Sequence, residues 1–310
     1  MPAKSTNRAS GSRLARFAPP GKHGGVELID AHVHLYPPEV NADPAGWAAA
    51  RREVLWAALC TRRRRDGSAV QGFPAITQLL ADMDAAGVRR AVLQGWYWEN
   101  HATCVEHNAY YAACVKAHPE RLSAFATVHP AAGGAALDEV RRAKDAGFAG
   151  LGELSPHSQQ VPLDDPIWRQ VLELAGDLKL PVNLHVTDPA SRPYPARVDT
   201  PLSDFIALAR DFPETNFILA HWGGGLAWSK EAAGLRNVWF DTAASPLLYG
   251  PEVWKKGPSD RVLFGSDYPL VVYPQVGAVP RFEGIVAEAL AADADQAIFH
   301  RNAATLLGLG

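Results

Sequence analysis

Eight short apolar runs constrain this chain more than any other feature. Most close on a glycine or a polar residue, and helix-like stretches separate them. The runs are Val26–His34, Arg90–Gly95, Leu122–His129, Ala149–Leu154, Pro181–Val186, Asn216–His221, Asn237–Thr242 and Arg261–Asp267. Runs this brief and this apolar suit strands buried on both faces, as in a parallel sheet. The stretches between them carry helix punctuation. Pro74–Ala86 stops at Gly87 and Ala135–Ala146 at Gly147, Asp164 or Asp165 precedes Pro166–Leu178, and Thr200 precedes Pro201–Arg210. A strand–helix alternation repeated eight times predicts a (β/α)8 barrel. The competing doubly wound sheet needs a glycine-rich phosphate loop after its first strand, and the sequence has none.

Strand spacing sets the organisation. The first two run ends lie 62 residues apart, whereas the other steps are 20 to 36, the size of one strand–helix unit. An insertion after strand 1, at roughly residues 36–72, accounts for the excess. Within it Pro44–Arg65 reads as a helix, with Trp47, Val54, Leu55, Trp56 and Leu59 available for an apolar face. Leaving the C-terminal end of a strand, it is expected to lie over the barrel mouth, where such enzymes keep their active sites. The expected division is a disordered basic tail over 1–25 and one barrel domain over 26–310.

Charge and cysteine content exclude several functions. Residues 1–25 hold Lys4, Arg8, Arg13, Arg16, Lys22 and no acid, so +5 of charge sits there, and the net −3 leaves −8 on the rest. An acidic body argues against nucleic acid as a partner, and no apolar run is long enough to span a membrane. Cys60, Cys104 and Cys114 are odd in number and form no CxxC pair, which fits free thiols in a reducing, cytoplasmic setting. The Arg62–Arg65 run, with Arg51 and Arg52, reads as a solvated helix end whose cations face the negative pole of the helix dipole. A small molecule is the expected partner.

The histidines and acids are not scattered. His32 and His34 end strand 1 in DAHVH, and their i, i+2 spacing puts both imidazoles on one face of a strand. His185 ends strand 5, His221 ends strand 6 and Asp267 ends strand 8. Five nitrogen and oxygen donors thus gather on one rim, after apolar strands that cannot solvate them. Imidazole and carboxylate without thiolate suit Zn2+ best, with Mn2+, Fe2+ and Co2+ as the alternatives. Asp30 either orients His32 or His34 or caps the strand.

This constellation resembles the amidohydrolase superfamily, and DAHVHLYP, ILAHWGGG, LFGSDYP and the closing AIFHRNA resemble its amidohydrolase-related branch. The resemblance runs over nearly the whole chain from Val26. It implies a metal held by His32, His34, His185 and Asp267, with His221 as acid or base or, in two-metal relatives, as a further ligand. Strand 4 departs from the common pattern of a carboxylated lysine. In GLGEL the residue is Glu153, whose carboxylate either bridges two metals or hydrogen-bonds a ligand. One or two ions are therefore open, and assembly into homo-oligomers is expected.

The branch mixes hydrolases with lyases. The first expectation is a hydrolase in which metal-activated water attacks a small cyclic or carboxylated ester, lactone or amide, with Asp267 moving the proton and His221 steadying the oxyanion. The alternative is non-oxidative decarboxylation of a carboxylated aromatic or muconate-like substrate, with His221 or Asp267 protonating the carbon that loses CO2. A catalytically silent metal-binding barrel is the third reading. Candidates to contact substrate are Trp96, Trp98, His157, Trp222 and Tyr268 after their strands, and Arg192 and Arg197 in the long proline-rich loop after strand 5.

Overall fold

All eight apolar runs form strands, paired in chain order. They are β1 Leu28–Val33, β2 Val88–Leu93, β3 Leu122–Ala126, β4 Gly150–Leu154, β5 Val182–Leu184, β6 Phe217–Leu219, β7 Val238–Asp241 and β8 Val262–Leu263. Every neighbouring pair is parallel. β8 returns to β1 through the backbone bonds Ala31 N to Phe264 O (2.7 Å), Asp267 N to His32 O (3.0 Å) and His34 N to Tyr268 O (2.6 Å). The result is a (β/α)8 barrel. This computed structural model describes residues 27–273 and 282–309, and the tail expected over 1–25 lies outside them.

Helices cover the barrel in the predicted intervals. Before β2 come α1 Pro38–Ala42, α2 Pro44–Arg51, α3 Val54–Cys60 and α4 Ile76–Ala86. Then follow α5 His101–Ala117, α6 Gly134–Asp145, α7 Pro166–Asp177 and α8 Leu202–Asp211. Of the two candidate caps for α7, Asp165 is the one used, accepting from the backbone of Ile167 and Trp168. Thr200 does not cap α8. Its hydroxyl instead accepts from the backbone of Thr187, tying down the loop after β5. Trp168, Val171 and Leu172 on α7 and Phe205 and Ile206 on α8 join the main core. A separate cluster of Ile29, Val92, Phe125, Ile218 and Leu263 packs with Ala303 and Leu307 of the last helix. No helix among the described residues is long and apolar enough to cross a membrane.

The insertion differs from the single helix expected over Pro44–Arg65. It breaks at Arg52, which is left-handed (φ 60°, ψ 34°), because Glu53 turns its carboxylate inward. There Glu53 accepts from Glu99 N at 2.7 Å and from the Asn100 side chain at 3.1 Å, while Glu99 caps α3 by accepting from Leu55 N at 2.6 Å. These exchanged bonds fasten the insertion to the loop after β2. Beneath them Trp47, Trp56, Tyr36, Trp98 and Phe73 form one aromatic cluster.

The arginine run is only in part a solvated helix end: Arg63 and Arg65 are exposed, whereas Arg62 and Arg64 are partly buried. Beyond Cys60 the chain folds back on itself in a short strap, with bridges Arg63 to Ala69 and Gln71 to Leu270. Arg64 donates to the carbonyls of Ala69, Val70 and Val271. The strap thereby braces the segment that follows β8 and carries Asp267.

Candidate metal centre

The strand ends bring the predicted donors together. His32 in β1 and His34 just past its end have their Nε2 atoms 3.2 Å apart. Asp267 Oδ1 lies 3.6 Å from His34 Nε2 and 3.9 Å from His32 Nε2. Glu153 Oε2 lies 3.9 and 4.0 Å from the same two nitrogens. Ligands about 2.0–2.2 Å from a tetrahedral ion stand roughly 3.3–3.6 Å apart, so this set needs only small adjustments to hold one. The other oxygen of Glu153 faces the other pair: Oε1 is 2.9 Å from His185 Nδ1 and 3.6 Å from His221 Nε2, and those two nitrogens are 3.3 Å apart. Glu153 thus stands between two pairs of imidazoles, one oxygen to each.

The outer ring nitrogens decide which atoms are free. His34 Nδ1 donates to Gln94 O at 3.1 Å and His221 Nδ1 to Ala243 O at 3.1 Å. His32 Nδ1 donates to the Asp241 carboxylate at 2.8 Å. With hydrogens fixed on these nitrogens, the Nε2 lone pairs turn inward. Two such lone pairs 3.2 Å apart repel unless a positive charge lies between them. In the metal-free site a proton provides it. Burial disfavours charge on His32, yet the carboxylates of Asp241, Glu153 and Asp267 outweigh that and hold its pKa at about 10. Burial and the neighbouring His32 charge push His34 down to about 3, leaving it neutral to accept. His221 is raised to about 9, burial being overcome by Glu153 and Asp267. Burial raises Asp267 itself. A largely buried pocket holding three carboxylates and four imidazoles favours positive charge, and this donor set fits a divalent cation.

Asp241, at the end of β7, was absent from the sequence-derived set. It is fully buried and accepts from His32 Nδ1, from Asn183 Nδ2 at 3.0 Å, and from the backbone of His221 and Ala243 at 3.0 and 3.1 Å. Its signal in the sequence was a lone acid closing the apolar run VWFD. Asp30 accepts from the backbone of His32 and Ser266, bracing the strand rather than an imidazole, and burial raises it to about 7. His221 and Asp267 sit on left-handed backbone (φ 58° and 64°), a conformation that turns each side chain off its strand into the mouth.

Of the residues expected to touch substrate, Trp96 meets the centre directly, its ring 5.3 Å from His34. Tyr97 stacks on Trp96 and lies 5.0 Å from His185. Trp98 packs under the insertion and donates to His107. His157 pairs with Asp204 of α8 at 2.9 Å. Trp222 is fully buried against Trp254 and donates to Ser245, and Tyr268 stacks on Phe282 and donates to Asp82. Arg192 is exposed, and Arg197 is bound to Asp199, Ser191 and the Asp188 carbonyl within its own loop.

A family model described as amidohydrolase matches residues 29–309. Among solved structures the chain is similar to 5-carboxyvanillate decarboxylase from Sphingomonas paucimobilis (16% identity, TM-score 0.71, covering 91% of this chain and 99% of that one). It is also similar to 5-carboxyvanillate decarboxylase from Novosphingobium aromaticivorans, solved with manganese and a nitrobenzoic acid (15% identity, TM-score 0.68, 92% and 96%). A third similar structure is 4-oxalomesaconate hydratase from Rhodopseudomonas palustris (20% identity, TM-score 0.62, 91% and 95%). At these identities the likeness establishes the fold. No curated protein matches the chain.

Proposed function

This chain belongs to the amidohydrolase family, and from that premise we propose that it is a metal-dependent decarboxylase of small planar carboxylated substrates. The observation that carries this reading is the flat wall of Trp96 and Tyr97, which lies directly against His34 and His185. A cation site bordered by stacked rings is shaped for a planar acid. The similarity to two carboxyvanillate decarboxylases over nearly the full length of both chains supports the same reading. It displaces hydrolysis, the first expectation from sequence.

His32, His34 and Asp267 with Glu153 would hold the cation, and His185 and His221 would extend the set across Glu153. Manganese and zinc both suit these donors. When bound, the ion supplies charge that grips and polarises a substrate carboxylate or phenolate oxygen. Trp96 and Tyr97 hold the ring flat. The carbon–carboxylate bond breaks, its electron pair stays on the ring carbon, and a proton from Asp267 or His221 takes the vacated position as CO2 leaves. In the absence of the ion both groups lean toward their protonated forms, His221 because Glu153 and Asp267 outweigh its burial and Asp267 because burial and the neighbouring carboxylates raise it.

Hydrolysis is the second reading, carried by Glu153. Its two oxygens address separate imidazole pairs, so the two groups would each be able to hold an ion, and a pair of ions there would supply the charge that activates water toward a carbonyl. The test is to assay the manganese- and zinc-loaded protein on hydroxybenzoic acids, lactones and amides. CO2 release is measured beside 18O incorporation from water. CO2 release from the acids is expected, and 18O incorporation into product acids without CO2 would refute the proposal.

A further inference from the structure

The strap that follows α3 places one arginine where the arginine run alone gave no reason to expect it. The Arg62 guanidinium lies over the Tyr194 ring, 4.8 Å from its centroid, joining the insertion to the loop after β5. That contact leads inward. The Tyr194 hydroxyl borders Thr187 and lies in the fields of both Arg62 and Glu153, and the Thr187 hydroxyl is 3.4 Å from His185 Nε2. From the other side, the buried Cys60 thiol lies in the fields of Arg62, Asp267 and Glu153. Arg62 therefore stands at the rim, two side chains away from His185. Its one hydrogen bond among the described residues goes to the Leu59 carbonyl at 3.1 Å, and no carboxylate there pairs with it. Its neighbours Arg63 and Arg64 both donate to carbonyls of the strap and its surroundings. A half-buried guanidinium lying over an aromatic ring with donors to spare is a receptor for a planar oxyanion.

We propose that Arg62 is a specificity-determining residue. It receives a second carboxylate of the substrate, at the far end of the molecule from the group held at the cation site. The substrates are then planar dicarboxylates rather than simple benzoic acids, a conclusion that rests on the decarboxylase reading for its substrate class alone. The test measures binding and needs no turnover. The manganese-loaded full chain is titrated with isophthalate and with benzoate, following heat or tryptophan fluorescence. Wild type should bind isophthalate at least about tenfold more tightly, the lower end of what a charged hydrogen-bonded pair contributes. Arg62→Gln should abolish that preference while leaving benzoate affinity and manganese content unchanged. Tyr194→Leu should weaken it. Arg63→Gln, which removes the same charge one residue away, should leave it intact. Equal binding of the two acids by wild type, or a preference that survives Arg62→Gln, would overturn the assignment. Failure of decarboxylation alone would not.

Discussion

Replacing Asp241 with asparagine keeps the size of the side chain and removes the charge and one acceptor. The wild-type carboxylate serves four donors. Oδ2 takes His32 Nδ1 and Asn183 Nδ2, and Oδ1 takes the backbone of His221 and Ala243. An amide can serve only one of these pairs. If its NH2 faces His32, the imidazole must shift its hydrogen to Nε2, the atom that points at His34 and that a cation needs. If the NH2 faces the backbone instead, the buried N–H groups of His221 and Ala243 both lose their acceptor. One donor is orphaned in the first arrangement and two in the second, at about 1–3 kcal/mol each, so the variant should lose about 1–6 kcal/mol of stability. Loss of a carboxylate behind a ligating histidine should weaken metal binding by about 10- to 100-fold. Urea unfolding of the metal-free protein and chelator competition for manganese read the two effects separately. Manganese affinity within twofold of wild type, in a folded variant, would refute the role given to Asp241.

Two further outcomes follow from the charges in the pocket. His32 and His221 hold protons up to about 10 and 9, so metal loading at pH 7.5 should release between one and two protons per chain into weak buffer. An indicator dye measures this, and release of none would contradict the site. The same two values lie above the ordinary 6.5 of histidine. The stability these groups give the metal-free protein is therefore complete below about pH 6.5 and lost as pH rises through 9 and 10, which melting curves at pH 7 and 9.5 would show. Glu153→Gln should lower metal content below that of wild type, measured by elemental analysis after dialysis, and full wild-type content would remove Glu153 from the proposed ligand set.

The strands were readable because parallel burial writes itself as short apolar runs, and the donors that gather at the mouth because HxH and the strand-end acids interrupt those runs with groups that need partners. Asp241 interrupts β7 in the same way, but its partners are contributed by β1, β5 and the turn after β6, which no local pattern joins to it. Trp98, Trp222 and Tyr268 show a second limit. A strand-end position fixes where an aromatic backbone sits, whereas its side-chain direction depends on what packs beside it. The helix expected over Pro44–Arg65 was drawn from apolar spacing. The need to satisfy the buried Glu53 and to brace the chain after β8 outweighed that spacing and divided the segment into two helices and a strap.

Anomalous scattering from crystals of the manganese-loaded chain tests the central claim most directly. The account predicts a peak about 2.0–2.3 Å from His32 Nε2 and His34 Nε2, with Asp267 and Glu153 completing its contacts. Manganese bound elsewhere, with those two nitrogens still facing each other across 3.2 Å, would contradict it.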